Sequence, residues 1–393
     1  MLYTAILLLC LFWTYINIYL YISTGNLPKL RDKSGSIPCA DRELPLLSII
    51  IPACNEAEHL EAALTSRLAQ DYPNLELVVI NDRSTDDTAG IIEHLAASDT
   101  RIKAVHIESL PAGWLGKVHA LHRGVEHATG EWYLFTDADV YFQSGTVRNA
   151  VCYAQHHRLL HLACLPELKT SDDFWLDVTI RAFFMLFCIS ARFAGINREN
   201  SRWAVGIGAF NLVAAEAFNN TRGFEWLRME PADDMGVGLM MKQSGARSHL
   251  INAEGEITVP WYESMHAMFK GLEKNSFGPG ANYSYARQCI IVLLLWCLAA
   301  VPLTSLLAGL YLYHPLLIAA GSIAFAATLF IALVMPRNTV RDIVSYMFMP
   351  AGIFIISLIM LNSAWKCWKN NGIDWRGTHY SVDELKQGQR VRF

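Results

Sequence analysis

"EWYLFTDADVYF", residues 131–142, runs an apolar strand into two aspartates, Asp137 and Asp139, and then turns apolar again. In extended chain, residues two apart point to the same side, so the two carboxylates aim together if the extension persists through Ala138. Charges that close repel unless a cation lies between or beside them. A solvated acidic turn would fit poorly with Phe135, Val140, Tyr141 and Phe142 around it. Hard divalent cations such as Mg2+ or Mn2+ take oxygen ligands and keep positions open for phosphate oxygens. The stretch therefore reads as the end of a buried strand carrying a metal site.

The same pattern recurs upstream. "LLSIII" (46–51), "ELVVIND" (76–82), "IKAVHI" (102–107) and "WYLFTD" (132–137) have strand length, and helical patterns cover 56–70, 85–97 and 117–128. Buried strands alternating with helices predict an α/β fold with a mainly parallel sheet covered on both faces. Ligands then bind beyond the carboxyl ends of the strands. After the first strand comes "PACNEAEHL", where Asn55 reads as an N-cap and Glu56 lies in the first helical turn. After the second comes "NDRSTDDT", with Asp82 at the tip and Ser84 or Thr85 as cap; after the third comes "PAGWLGKVHAL". One such tip alone reads as turn chemistry. Four in a row, mostly acidic and on one rim, predict a site.

The chain has 393 residues, 53% hydrophobic and 17% charged, which directs attention to membrane segments. Residues 2–22 are apolar and uncharged, long enough to cross ~30 Å of hydrocarbon, so 1–24 is expected to be a transmembrane helix. No basic residue precedes the run and no A-x-A-like site comes after it, which disfavours a cleaved signal peptide. Three more apolar segments, 289–313, 315–335 and 343–365, predict a second membrane region over 289–365, with a basic tail, 366–393, beyond it. The α/β domain between them is expected over 40–285. A net charge of −4 without a basic stripe argues against nucleic acid. Nine scattered cysteines without a CxxC pair read as reduced structural thiols.

"EPADDMGVGLMMKQSG" (230–245) places two acids before an amphipathic helix. The helix N-terminus favours an ionised carboxylate. One of Asp233 and Asp234 is read as a cap and the other as a catalytic base.

Taken in order, "IIIPACNEA", "VINDRSTDDT", "TDAD" and "ADDMGVGLMMKQSG" resemble the family-2 glycosyltransferases of GT-A fold, over about residues 45–275. The membrane-anchored setting is similar to the ceramide, carotenoid and hopanoid glycosyltransferases. The resemblance implies a membrane-bound inverting enzyme that moves a hexose from a nucleotide-diphosphate sugar, a UDP-sugar, to a lipid hydroxyl. It implies Pro52, Asn55, Glu56, Asp82, Lys117 and Asp137 on the donor, with Asn55, Glu56 and Asp82 lining the nucleoside pocket and Lys117 meeting the diphosphate. Asp139 would ligate Mg2+ or Mn2+, with Asp137 near the ribose or the metal. Asp234 would be the base and Asp233 its neighbour, and "GIGAFNLVAAEAF" (206–218) the acceptor-side strand. The Gln/Arg-x-x-Arg-Trp motif of processive members is missing; "ENSRW" (199–203) precedes Asp234 and begins with Glu.

Downstream of Asp234, in "YESMHAMFKGLEKNSFGPG" (262–280), Lys270 and Lys274 lie one helical turn apart and would face the diphosphate or lipid head groups. Residues 172–196, apolar but broken by Asp177, Arg181 and Arg192, read as an interfacial helix or as part of the domain core. The acceptor is accordingly expected to be a lipid: a sphingolipid, sterol-like, hopanoid, carotenoid or polyprenyl alcohol. A polyprenyl-phosphate sugar synthase, a polysaccharide synthase and an inactive scaffold of the same fold are the alternatives.

Lys29, Arg31, Lys33 and Arg42 after the first helix predict a cytoplasmic catalytic domain. Three further crossings would then put the basic tail outside. Either the last segment, kinked near Pro350 and Gly352, is re-entrant, or the charge rule fails. If the tail is cytoplasmic, Trp375 and Arg376 would complete the donor site.

Overall fold

The structure, a computed structural model, describes residues 2–31, 39–169, 172–199, 201–274, 276–335 and 339–392. Lys33 of the flanking basic set and Asn200 of the 199–203 string lie outside the described residues.

A seven-stranded sheet runs in the order Ile102–Ile107, Leu75–Asp82, Leu47–Ala53, Trp132–Phe135, Asn211–Ala214, His161–Leu165, Ser248–Asn252. All of Leu75–Asp82 is buried, and all of Leu47–Ala53 but Pro52. Burial on both faces explains the unbroken apolar runs. Ile50 pairs with Val78 on one side and Phe135 on the other, both parallel. Gly124 lets its helix approach the sheet closely: a Cβ there would strike the side chains of Ile50 and Ile80. One strand, Asn211–Ala214, is antiparallel to both neighbours. That reversal matters for the site, because the residues preceding it arrive at the rim where the parallel strands end.

The first three helices, Ala57–Leu68, Thr88–Ser98 and Gly116–His127, lie close to expectation, but their caps do not. Neither Asn55 nor Ser84 or Thr85 takes the expected capping role. Instead Asp86 serves two helix starts, accepting from Ala57 N at 3.1 Å through Oδ2 and from Thr88 N at 3.1 Å through Oδ1. Asn55, at φ 57°, turns its Oδ1 to Thr85 N at 2.7 Å and joins the two strand-end loops. Capping across loops has no local spacing in sequence, which is why the nearer residues read as caps.

Among the described residues, Leu2–Gly25, Tyr285–Tyr311, Pro315–Val334 and Met349–Asn370 are long and apolar enough to cross a membrane. The Tyr3 ring lies 4.7 Å from His314, and Thr24 Oγ1 lies 3.7 Å from Met335 Sδ. The first and third of these helices therefore run in the same direction. The expected single segment 343–365 breaks at Phe348. Val340–Met347 is a short helix opened by a Thr339–Asp342 capping box, and Pro350 sits in the first turn of Met349–Asn370, where its missing N–H costs nothing. The middle of that last helix lies beside the first turn of Tyr285–Tyr311, where Gln288 Nε2 donates to Met360 O at 2.8 Å, and its start lies beside the middle of the same helix, where Phe354 meets Trp296. Its final turns leave the membrane helices and meet the α/β unit, where Lys366 pairs with Glu273 at 2.6 Å.

Phe174–Ser190 packs against Met349–Asn370, with Gly352 set so close that a Cβ would lie 2.6 Å from Val178 O. The charges that interrupt its apolar sequence are paired, as buried charges must be. Arg181 lies 3.2 Å from Asp177 and 2.6 Å from Asp342, over the ring of Tyr346.

Candidate active site

The strand Trp132–Phe135 delivers Asp137 and Asp139 to the rim. Two bonds fix the exit: Thr136 Oγ1 donates to Ala209 O at 2.8 Å, and Asp137 N donates to Gly208 O at 3.0 Å. Beneath the turn lies Arg67, fully buried, whose guanidinium donates to the carbonyls of Asp137 and Ala138. Burial pulls Arg67 down to about 10, against the pull of Asp139 and Asp137. This residue is absent from the site that the sequence predicts, although a signal is present: Leu60, Ala63, Leu64 and Arg67 form the buried stripe of one helix. A lone arginine on an apolar stripe has to find acceptors inside.

Burial pushes the Asp139 carboxyl up to about 6, and the carboxylates of Asp137 and Glu56 push the same way. Burial also raises Asp137, but Lys117 outweighs it and holds that carboxyl below its ordinary value. Asp137 and Glu56 have cations of their own in Lys117 and Arg376, whereas Asp139 is pushed up by both carboxylates. A hard divalent cation there would offset that repulsion, so Asp139, with Asp137, is suited to hold one.

Lys117 lies between Asp137, at 2.6 Å, and Asp233, at 3.2 Å. Burial opposes its charge, yet Asp137, Asp233 and Asp234 together drive its pKa up. Expected to meet a diphosphate, it also ties the strand-end acids to the helix Asp233–Gln243. Asp82, nearly buried, is gripped by its neighbour Arg83 at 2.7 and 3.1 Å. Gly116 of "GWLGK" packs on it, and a Cβ there would lie 2.6 Å from Asp82 Oδ2.

Neither acid of the 233–234 pair holds the N-cap position, which is Ala232. Asp233 turns to Lys117. Asp234 accepts from Gly208 N at 2.9 Å and Met235 N at 2.8 Å. Burial lifts its carboxyl to about 6, and Asp233 beside it adds to the rise. Gly208 stands between the two carboxylates: a Cβ there would lie 2.6 Å from Asp137 Oδ2 and 3.5 Å from Asp234 Oδ2, so a larger residue would displace one of them.

Two connected hollows result. A recess of about 10 Å³, room for about one water, is lined by Pro52, Lys117, Asp137, Gly208, Asp233 and Asp234. A cleft of about 1460 Å³ opens outward and is lined by Pro52, Asn55, Glu56, Asp82, Lys117, Asp137 and Asp139, with Trp261, Tyr262, His266 and Lys270 opposite. Every residue expected on the donor thus lines one cleft.

The tail closes one end of it. Arg376 pairs with Glu56, Thr378 Oγ1 accepts from Arg83 at 3.4 Å, and Gly116 N donates to the Tyr380 hydroxyl at 3.3 Å. Lys274 stands 3.6 Å over the Trp375 ring; burial, then Lys117, lowers it to about 8. The anchor is Glu230, which no sequence pattern singles out. Fully buried, it accepts from Ala232 N, Arg390 N and Val391 N, holding the tail against the loop before Asp233.

Residues 48–221 match the family model described as Glycosyl transferase family 2. Among curated proteins, the chain is 35% identical over 104 residues to the GalNAc(5)-diNAcBac-PP-undecaprenol beta-1,3-glucosyltransferase of Campylobacter jejuni, covering 26% of this chain and 33% of that one. It is 38% identical over 96 residues to the 4,4'-diaponeurosporenoate glycosyltransferase of Staphylococcus aureus, covering 24% of each. The chain thus spans a third or less of the length of these relatives. Among solved structures, the mannosyltransferase PcManGT from Pyrobaculum calidifontis, in complex with GDP-Man and Mn2+, superposes with a TM-score of 0.50 at 18% identity, covering 92% of this chain and 96% of that one. That likeness speaks to the fold, which is GT-A, with apolar helices at both ends of the α/β unit.

Proposed function

We propose, for a chain whose residues 48–221 form a Glycosyl transferase family 2 domain, an inverting hexosyl transfer from a nucleotide-diphosphate sugar, a UDP-sugar, to a lipid hydroxyl. The observation that carries the reading is the placement of Asp234: half-buried, it lines the recess with Asp137 and Lys117, one glycine away from Asp137 and 2.9 Å from Gly208 N, where burial lifts its carboxyl to about 6. Such a group is ionised at neutral pH yet basic enough to take a proton, the poise that general-base catalysis favours.

The acceptor oxygen forms a bond to the anomeric carbon as the bond from that carbon to the diphosphate oxygen breaks. The nucleoside diphosphate leaves with the electron pair, and the acceptor proton goes to Asp234. Asn55, Glu56 and Asp82 are assigned to the nucleoside, Arg376 and Lys274 to the diphosphate. Asp139 and Asp137 would hold Mg2+ or Mn2+, which supplies positive charge to the departing diphosphate. Lys117 fixes Asp137 and Asp233 relative to each other.

A lipid acceptor is supported by the names of the two relatives and by the membrane helices beside the cleft. We place the catalytic unit on the cytoplasmic side, on the strength of Lys29, Arg31 and Arg42, and read Met349–Asn370 as re-entrant. Its middle reaches only the first turns of Tyr285–Tyr311, and the tail beyond it touches Glu56 and Glu230 on the α/β unit. The test is incubation of the detergent-solubilised chain with a lipid extract, labelled nucleotide-sugars and Mn2+. Nucleoside diphosphate release, with a glycolipid seen by mass spectrometry, is the expected result. Neither product with any donor would leave a scaffold of the same fold.

A further inference from the structure

Asp234 is held at two points by one short stretch of chain. Gly208 N donates to its carboxylate at 2.9 Å, and three residues on, Asn211 Nδ2 donates to its backbone carbonyl at 3.2 Å. Asn211 is buried and lines the small recess together with Asp234. Gly206 makes the approach possible: a Cβ there would lie 2.6 Å from Asn211 Nδ2 and would run into Asp234 O.

An asparagine amide fits a site either way round unless its partners choose, and here both ends choose. Asn211 Oδ1 lies 2.7 Å from His161 Nε2, across two neighbouring antiparallel strands. Reversed, the amide would set its oxygen against the Asp234 carbonyl, acceptor on acceptor. The oxygen therefore faces His161, and Nε2 carries the hydrogen that it donates. His161 is fully buried, and its Nδ1 has no hydrogen-bond partner among the described residues. Burial lowers the ring to about 4, so it is neutral at physiological pH. A buried imidazole with one bare nitrogen is a costly way to fill a strand position. The bond to Asn211 is what an apolar side chain there would not supply.

We propose that Asn211 is a positioning residue for Asp234 and that His161 orients Asn211, so that imidazole, amide and main-chain carbonyl in line aim the Asp234 carboxylate into the recess. The proposal rests on the reading of Asp234 as the base and deepens it. No proton moves along the line; each hydrogen stays on its nitrogen. A misplacement of about 1 Å in a reacting group costs about 100-fold in rate, so the aim bears on turnover rather than on donor affinity.

Hydrogen exchange of the purified full chain in detergent, read by mass spectrometry, tests the hold without needing turnover. In Asn211→Ala, exchange at Gly208 should rise about tenfold, the loss of one hydrogen bond to a charged group, while the strand His161–Leu165 keeps its protection. His161→Leu should act in the same way. His161→Gln, whose side-chain amide donates from the place of Nε2, should restore protection. In turnover, Asn211→Ala and His161→Leu should each lower kcat about tenfold or more at unchanged donor KM, and the two together should be no slower than Asn211→Ala alone.

Unchanged exchange at Gly208 in Asn211→Ala overturns the proposal. So does exchange that rises throughout both strands, or a donor KM that rises as much as kcat falls, since either would make these packing residues. His161→Gln behaving as His161→Leu would remove His161 from the line. Failure of the underlying reading shows separately, as full turnover in Asp234→Asn or as no nucleoside diphosphate release from the unaltered chain.

Discussion

Arg376 Nη2 lies 2.7 Å from Glu56 Oε1, although the two residues are 320 positions apart. The contact joins a hairpin beyond the last membrane helix to the first loop of the α/β unit. Both groups are partly exposed, so the pair itself stabilises the fold by no more than ~1 kcal/mol. Its effect should appear in binding: with Arg376→Ala we expect donor KM to rise about tenfold, the loss of one charged contact to a diphosphate, at nearly unchanged melting temperature. Calorimetric titration with the UDP-sugar checks this; unchanged affinity would remove Arg376 from the donor site.

Asp233 and Asp234 have different partners, and their variants should differ accordingly. A base acts only as the acceptor proton leaves, so Asp234→Asn should lower kcat by ~100 to 10,000-fold while the chain still binds donor. Asp233→Asn weakens the hold on Lys117 and should keep partial activity. Steady-state kinetics with both variants decides; a dead Asp233→Asn beside an active Asp234→Asn would exchange the roles.

The raised carboxyl of Asp234 has opposite consequences for rate and stability. If Asp234 is the base proposed above, its ionised form does the work, and kcat at saturating metal should fall as pH drops through about 6, close to tenfold per unit below that. For stability, the folded pKa lies above the usual carboxylate value, so the protonated form is favoured on folding. That contribution is present at low pH and is lost as pH rises through about 6. Activity and this part of stability should thus move in opposite directions across the same window. In Asp234→Asn both dependences should flatten, which pH-rate profiles and thermal melts can test.

The fold is legible in sequence because strands buried on both faces must be written as continuous apolar runs, and those ending at Asp82 and Asp137 can be read directly. The donor-side acids are legible for the same reason, as each stands at the end of such a run. The features that escape such reading act across the chain. Glu230 binds residues 160 and 161 positions later, and Asp86 caps two helices at once. Periodicity carries no trace of such pairings. Arg67 is the exception, readable from its place on an apolar helical stripe.

Arg67 offers a test of how the proposed metal ligands are aimed. Arg67→Met would leave the carbonyls of Asp137 and Ala138 without their donor, at a cost of about 2 kcal/mol. The turn should loosen, and the Mn2+ concentration giving half-maximal activity should rise more than donor KM. An unchanged metal requirement would limit Arg67 to packing.

Topology can be checked by labelling. A cysteine replacing Lys386 should react from the same side of the membrane as one replacing Glu58, and one replacing Tyr313, at the far turn, from the opposite side. Labelling of positions 386 and 58 from opposite sides would make Met349–Asn370 a full crossing.

The anchoring of Arg390 and Val391 on Glu230 also sets an order for biogenesis. The loop before Asp233 is synthesised and can fold long before its partner segment exists; the hairpin reaches it only after every membrane helix has been made and inserted. A nascent chain halted anywhere before residue 372 would carry the strand-end acids of the cleft and still lack the arginine and tryptophan that close it. Assembly of the membrane helices thereby precedes completion of the cleft.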